Sequence, residues 1–352
     1  MNNRNKTLLI FSPAFAANES ESIWLPWLQI FIRSLNKNFS SLKIIVIAFQ
    51  YPLTTQEYMW FNNLVIPFNI TKQQKHKKIF TWVKIFNTVK KLKQKNDVIG
   101  IFSMWCGECT FVAKHISNFL DLRYFCWIVG QDARASNTYV KRIKPKASSL
   151  IAMSDFLADE FFKNHGIKPR HLVTNGVDIS LFEPVPLIKD IDIIGVGSLS
   201  ILKQYDIFIE VIAALQKKLP GIKAVLCGDG EAKQQIEEMI KDFSLGKNIT
   251  LHGTVEHRAG LKMMQHSKIL LHPSSYEGFS GVCLEALYAG AHVISFIKPM
   301  HNEIKNWHIV KNKNEMINKA FELLRSDIDY YPVLVYAMDD SAKKIMQLFD
   351  YA

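Results

Sequence analysis

No stretch of this 352-residue sequence strings together the roughly 18 apolar residues that a bilayer-spanning helix needs. Glycine and proline are sparse, at 16 and 12 residues, and no tract is of low complexity or repeats at a fixed period, which excludes fibrous, solenoid and disordered chains. Cysteines number five, an odd count, and Cys106, Cys109, Cys126, Cys227 and Cys283 sit mostly inside apolar runs. That is the usage of free thiols in a reducing compartment, not of a disulfide framework. Acids are in short supply: 32 Asp and Glu face 43 Lys and Arg, a net charge of +11. The excess favours an anionic partner, whether a phosphorylated small molecule, an acidic membrane surface or nucleic acid. No nucleic-acid recognition motif accompanies the charge, so nucleic acid is not expected. The histidines offer no H-x3-H pair and no D-x-D follows a strand, so no metal site is expected either.

Arg4 and Lys6 precede the apolar run 7–11, and Ala14-Phe15-Ala16 imitates a signal-cleavage site. Pro13 interrupts a core too short for a secretory signal. The segment reads better as a buried first strand, and a cytoplasmic location is expected.

What is present is a chain that is 48% hydrophobic and long enough for two domains, each with a core of its own. Short apolar runs alternate with amphipathic stretches throughout, the pattern of βα units and mainly parallel sheets. The first half predicts strands at 7–11, 42–49, 98–102, 124–129 and 149–153, with helices at 23–35, 79–92, 111–120 and 155–164. Proline and charge cluster at 184–190, which is read as a linker between an N-terminal domain, 1–183, and a C-terminal domain, 191–338. The second half predicts strands at 191–195, 223–227, 249–251, 269–272 and 292–296. Helices are predicted at 207–219, 231–243, 261–266, 282–289 and 314–324. A terminal segment, 339–352, forms a last helix expected to pack back toward the N-terminal domain. The fold class is α/β with two doubly wound, Rossmann-like domains, in which ligands bind beyond the carboxyl ends of the strands.

The most informative stretch is 271–290, a strand, a loop and a helix in succession. Gly278 and Gly281 let backbone approach a ligand, and N–H groups at the helix start are unpaired donors at the positive end of its dipole. Such a site suits a diphosphate. Glu277 lies in the loop and Glu285 about one turn into the helix, so the two carboxylates can meet different parts of one extended ligand. From spacing alone, Glu285 as a solvated helix residue and the glycines as turn formers account for the pattern equally well.

This stretch closely resembles the E-x7-E signature of retaining GT-B glycosyltransferases of family 4, usually E-G-F-G-x-x-x-L-E-A. Every fixed position matches except Ser280, where glycine is common. The run from Gly195 through Gly197 and Ser198 to Lys203 resembles that family's G-R-L-x-x-x-K loop, Gly228-Asp229-Gly230 its G-x-G, and Leu251 to Val255 its base-binding loop. Asn175-Gly176-Val177-Asp178 resembles its N-G-V-D turn, and Gly130-Gln131-Asp132 part of its H-G-x-D loop. The resemblance spans roughly residues 125 to 300. Two positions depart from it: Ser198 stands where an Arg is usual, and Val129 where a His is frequent.

The resemblance implies a retaining, metal-independent glycosyltransferase of polysaccharide biosynthesis with GT-B architecture, its two domains facing a cleft. It needs no cofactor beyond a UDP- or GDP-sugar co-substrate, and its acceptor is a glycan or lipid-linked glycan. Lys203 would neutralise the diphosphate, Glu285 would accept from the ribose hydroxyls, and Glu277 with the backbone of Gly278 and Phe279 would hold the sugar. Gly197, Ser198, Gly228, Val255, Ser280, Gly281 and Val282 complete the expected donor contacts. Glu277, Lys203 and Asp132 are the candidate catalytic residues, and Asp132 and Arg134 the candidate acceptor contacts. A nucleotide-sugar epimerase or phosphorylase on the same scaffold, or a catalytically silent binding subunit, remain as alternatives.

Three weaker signals have plainer readings. Cys106-Gly107-Glu108-Cys109 is a C-x-x-C without partner ligands, so its thiols are expected to be structural. The stretch 72–95 interleaves lysines with aromatics and contains no acid. It reads as a helix with solvated lysines or as a peripheral contact with an anionic inner membrane face. Asp339 and Asp340 are expected to cap a helix start.

Overall fold

A computed structural model describes residues 5–22, 24–70, 75–184 and 188–351, with the backbone alone described at 75–77. Arg4, Ile23, Lys72 and linker residues 185–187 therefore lie outside the described residues. The chain divides into two compact units, one running to Asn175 and resuming at Met338, the other spanning Gly176–Ala337.

Unit 1 begins with β1 (Lys6–Ala14), α1 (Pro26–Asn38), β2 (Lys43–Tyr51), β3 (Tyr58–Trp60), β4 (Asn63–Pro67), α2 (Lys75–Lys95) and β5 (Asp97–Met104). It continues through α3 (Glu108–Leu120), β6 (Tyr124–Ile128), α4 (Tyr139–Ile143), β7 (Leu150–Ala152), α5 (Asp155–His165) and β8 (His171–Leu172). Among the described residues the sheet order is β3-β4-β2-β1-β5-β6-β7-β8, parallel except for the β3–β4 hairpin. The central place of β1 explains its unbroken apolar run. Leu8, Leu9, Ile10 and Phe11 are all inaccessible because helices cover both faces of the sheet. The helix ends follow local chemistry: Pro26 opens α1, and Ser154 caps α5 by accepting the Leu157 N–H at 3.1 Å.

Unit 2 consists of β9 (Ile191–Val196), α6 (Tyr205–Gln216), β10 (Ala224–Cys227), α7 (Lys233–Asp242), β11 (Ile249–Gly253) and α8 (His257–Gln265). Then come β12 (Ser267–His272), α9 (Gly281–Tyr288), β13 (His292–Ser295), β14 (Trp307–Ile309) and α10 (Lys313–Arg325). Its sheet is parallel throughout, in the order β11-β10-β9-β12-β13-β14. Renumbered within the unit this is 3-2-1-4-5-6, the doubly wound order whose switch point falls between β9 and β12. The last helix, α11 (Met338–Leu348), belongs to unit 1. Met338, Ala342, Ile345 and Met346 are buried there, and Phe349 beyond it meets Phe102 and Phe125 edge-on.

The chain changes unit earlier than the proline cluster suggested. Residues from Gly176 cluster with unit 2 because Val177 bridges to Ala337, Glu183 bonds with Gln265, and Lys189 Nζ donates to the Ala289 carbonyl. Asp339 does more than sit at a helix start. Its carboxylate accepts from Ser34 Oγ at 2.6 Å and Lys37 Nζ at 2.7 Å, fastening α11 to α1. The sequence reading gives no strand for β3, β4, β8 or β14, nor a helix for α4. All five are short and lie outside the sheet centres, where apolar periodicity is weakest. Among the described residues no helix is long and apolar enough to cross a membrane.

Ile345 is fully buried between α11 and the body of unit 1. Ile345→Ala should lower unfolding stability by about 2–4 kcal/mol through cavity formation. Chemical denaturation followed by tryptophan fluorescence measures this, and a loss under about 0.5 kcal/mol would show that α11 contributes no core.

Candidate functional site

The loops that follow β9 and β12 leave neighbouring parallel strands at the switch point of unit 2. The first runs Gly197, Ser198, Leu199 and Ser200 into a 3-10 turn, Ile201–Lys203, and enters α6 through Gln204 in a left-handed conformation. The second, 273–280, is pinned to that turn by Ser275, whose N–H and Oγ both donate to the Leu202 carbonyl, at 3.0 and 3.1 Å. Glycines are demanded by close approach. A Cβ on Gly228 would lie 1.8 Å from the Gly197 carbonyl oxygen, and one on Gly230 2.6 Å from that of Leu199. The G-x-G after β10 thus makes room for the β9 loop. Leu199 N–H donates to Asp229 O and Gly228 N–H to Gly253 O, which ties the loops of three strands together.

This docking brings together Lys203 and Glu277, 74 positions apart in sequence. Lys203 Nζ donates to Glu277 Oε2, with the two side chains 21% and 23% exposed, so the pair is reachable from solvent. His272, the last residue of β12 and itself buried, places Nε2 3.1 Å from the same oxygen. Burial lowers the pKa of His272, so the ring is neutral and donates its Nε2–H to the carboxylate. Burial alone would raise the Glu277 carboxyl. The His272 hydrogen bond and the Lys203 ammonium outweigh it and bring the group from 4.5 down to about 2.

One turn into α9, Glu285 Oε1 lies 2.7 Å from Nε2 of His257, the first residue of α8. Glu277 and Glu285 therefore have separate histidine partners and no shared proton. Ser280, at a position where glycine is frequent, is the N-cap of α9 and accepts the Cys283 N–H through Oγ at 3.4 Å. Gly281 and Val282 are the first helical residues, whose N–H groups have no carbonyl within the helix. The Phe279 side chain is buried, stacked on Trp307 with ring centres 6.0 Å apart, so its ring is withdrawn from solvent. Ser198 is exposed at the loop tip, and Val255 packs toward Gly260 of α8.

Sequence reasoning missed four polar groups here. His272 and His257 are found only through the fold. The hydroxyls of Tyr205 and Ser274 are buried without a hydrogen-bond partner, and Tyr205 Oη lies where a Cβ on Gly197 would come within 2.9 Å of it. Their one sequence signal is position, two residues after Lys203 and two residues after the end of β12. Among the described residues no three His, Cys, Asp or Glu side chains come together as metal ligands.

Asp132 and Arg134 lie in unit 1, in and just after a 3-10 turn beyond β6. Asp132 is buried, and its carboxylate accepts the N–H groups of Cys106 at 2.8 Å, Gly130 at 2.8 Å and Val129 at 3.2 Å. It braces the loops after β5 and β6 against each other, and burial raises its pKa against the pull of those N–H groups. All five cysteines are buried and free. Burial pushes the Cys109 thiol up, as a hydrogen bond with Cys126 together with burial does for Cys106, so neither is held as a thiolate.

The low folded value of Glu277 means that its contribution to stability is complete above pH 4.5 and is lost as pH falls toward 2. Glu277→Gln should destabilise the protein at neutral pH by on the order of 1–3 kcal/mol. The gap to the parent should narrow from about pH 5 downward and close only near about pH 2 in urea titrations. A gap independent of pH would contradict the ion pair.

Residues 181–330 match the family of glycosyl transferases group 1. A 2-deoxystreptamine N-acetyl-D-glucosaminyltransferase of Niallia circulans is 29% identical over 103 residues, 29% of this chain and 26% of that protein. A poly(ribitol-phosphate) alpha-N-acetylglucosaminyltransferase of Staphylococcus aureus is 25% identical over 267 residues, 70% of this chain and 46% of that protein. The chain thus spans less than half the length of these curated relatives. Among solved structures, a variant of TarM from S. aureus in complex with fondaparinux, alpha-GlcNAc-glycerol and UDP superposes with a TM-score of 0.73. That match has 14% identity over 98% of this chain and 99% of that one. This protein is thus similar to the glycosyl transferases group 1 over most of unit 2, and its whole chain has the GT-B fold of its structural neighbours.

Proposed function

We propose that this protein is a glycosyltransferase that moves a sugar, N-acetylglucosamine in the first instance, from a UDP-sugar to a hydroxyl of a glycan or lipid-linked glycan, with retention at the anomeric carbon. The observation that carries the reading is the meeting of Lys203, Glu277 and the start of α9 at the switch point of a parallel sheet. The relatives' names support the sugar, and the UDP bound to the structural neighbour supports the nucleotide.

In this reading the donor diphosphate lies along Gly197, Ser198 and Gly228 against the N–H groups of Gly281 and Val282, with Lys203 supplying the cation. Glu285, oriented by His257, accepts from the ribose hydroxyls, and the Val255 backbone meets the base. Glu277 and the backbone of Gly278 and Phe279 hold the sugar. The bond from the anomeric carbon to the leaving diphosphate breaks as the acceptor oxygen bonds to the same face. The acceptor proton passes to a diphosphate oxygen, so no protein carboxylate has to become a covalent nucleophile. The helix N-terminus and Lys203 do the work of a divalent cation, and no cofactor is required. Acceptor choice resides in unit 1, in the loops after β1, β5 and β6, where Arg134 is a polar contact and Asp132 shapes the loop it follows. The buried free thiols suit a cytoplasmic setting. Ser198 favours one rival, a subunit that binds nucleotide sugar without turning it over, since the position offers no guanidinium to the diphosphate.

Lys203→Ala and Glu285→Ala should each weaken UDP binding about tenfold or more in calorimetry, with the fold retained in circular dichroism although Lys203→Ala leaves Glu277 unpaired and melts lower. UDP affinity equal to the parent's in both variants would sink the site. Turnover should survive EDTA, and NMR of the product should show the donor's anomer. An inverted product excludes the proposed chemistry, and UDP release that ignores the acceptor excludes transfer.

A further inference from the structure

The positive charge of this protein belongs to one unit only. Unit 1 carries 26 Lys and Arg against 13 Asp and Glu, net +13, whereas unit 2 carries 17 against 19, net −2. Within unit 1 the excess is concentrated on α2 and on α4 with the residues after it, two helices that flank α3. No acid occurs at 72–95 or at 133–154.

Aromatic contacts lay these helices side by side. Trp82 of α2 meets Phe111 of α3 at 5.2 Å, Phe86 of α2 meets Phe119 of α3 at 5.0 Å, and Phe111 approaches Tyr139 of α4 at 6.3 Å. The inward side of α2 buries Thr81, Ile85 and Val89. Its outward side has two parts: Ile79, Phe80 and Val83 are 57%, 69% and 52% exposed, and Lys84, Lys90 and Lys91 follow at helical spacing. Phe119 on α3 is 72% exposed, and Lys141, Arg142, Lys144 and Lys146 are exposed in and after α4. Several other charges on these elements have partners. Lys93 donates to the Leu120 carbonyl and Lys114 to those of Ile143 and Lys144, both capping helix ends. Glu108 is covered and bonded to Trp82 Nε1 and Lys78, while Asp121 is an exposed acid at the end of α3.

We propose that the outward face of α2, α3 and α4 docks on an anionic lipid bilayer, with Phe80, Val83 and Phe119 entering the headgroup boundary and the lysines above α4 and along α2 meeting lipid phosphates. Charge alone would serve a soluble polyanion equally well. Exposed aromatic and aliphatic side chains beside the lysines favour a partner that offers both phosphate and hydrocarbon, since lysine-flanked apolar faces are the signature of interfacial helices. The proposal stands on unit 1 and is independent of what unit 2 binds.

Flotation of the full chain with vesicles of equal parts phosphatidylcholine and phosphatidylglycerol tests it, beside pure phosphatidylcholine vesicles and soluble polyphosphate as competitor. Binding to the anionic vesicles should be about tenfold or more tighter than to neutral ones. Phe80→Ser with Val83→Ser, and separately Lys90→Glu with Lys91→Glu, should each reduce it about tenfold with melting temperatures unchanged. Because both pairs are exposed, the variants fold. Equal binding to neutral vesicles, parent-like flotation of either double variant, or binding abolished by polyphosphate with no apolar contribution would overturn the proposal, the last in favour of a soluble polyanion.

Discussion

The ion pair between Lys203 and Glu277, with the neutral ring of His272 donating to the same carboxylate, is the interaction on which the proposed site depends. A cation and an anion that are each about four-fifths covered would be costly if either stood alone. Together they let a lysine and a glutamate wait at the mouth of a parallel sheet without unfolding it. The arrangement presupposes that the β9 and β12 loops touch, which in turn requires the missing side chains of Gly228 and Gly230 and the double hydrogen bond of Ser275 to Leu202. Three strands' worth of loop geometry converges on one charged contact.

Much of this was legible in the sequence, because strongly periodic segments announce themselves. The strands from β9 to β13 and the E-G-F-S turn before α9 are readable as strand, loop and helix, and Lys203 is singled out by its spacing from Gly197. Contacts between distant segments are not legible. His257 reaches Glu285 across 28 positions, and Tyr205 lies beneath Gly197 only once α6 packs on the sheet. Short edge strands such as β3 and β14 escape because three residues cannot display a period. The unit boundary escapes because proline content marks a turn in the backbone, whereas the boundary is set by which partners Val177 and Glu183 find.

Two residues that the sequence singles out acquire physical meaning in the fold. Ser280 replaces a glycine and becomes a helix cap, so α9 starts with its dipole intact and one first-turn N–H satisfied. Asp132, which sequence alone offers as a reacting group, instead has its carboxylate surrounded by three backbone N–H groups and fixes the loops of unit 1. Its worth to an acceptor would be indirect, through the shape of the loop that carries Arg134. The two units also divide the electrostatics, with the near-neutral one carrying the proposed donor site and the strongly basic one the proposed acceptor loops.

The proposed site turns on Glu277 holding Lys203 and yielding it to the donor diphosphate. Calorimetric titration of UDP, which lacks the sugar, into Glu277→Gln is the most direct measurement. If Glu277 competes with the diphosphate for the ammonium, this variant binds UDP at least as tightly as the parent, and by up to about tenfold tighter. If instead the variant loses UDP affinity to the extent that removal of Lys203 does, the two residues act together on the nucleotide, and the account of a competing resting pair is contradicted.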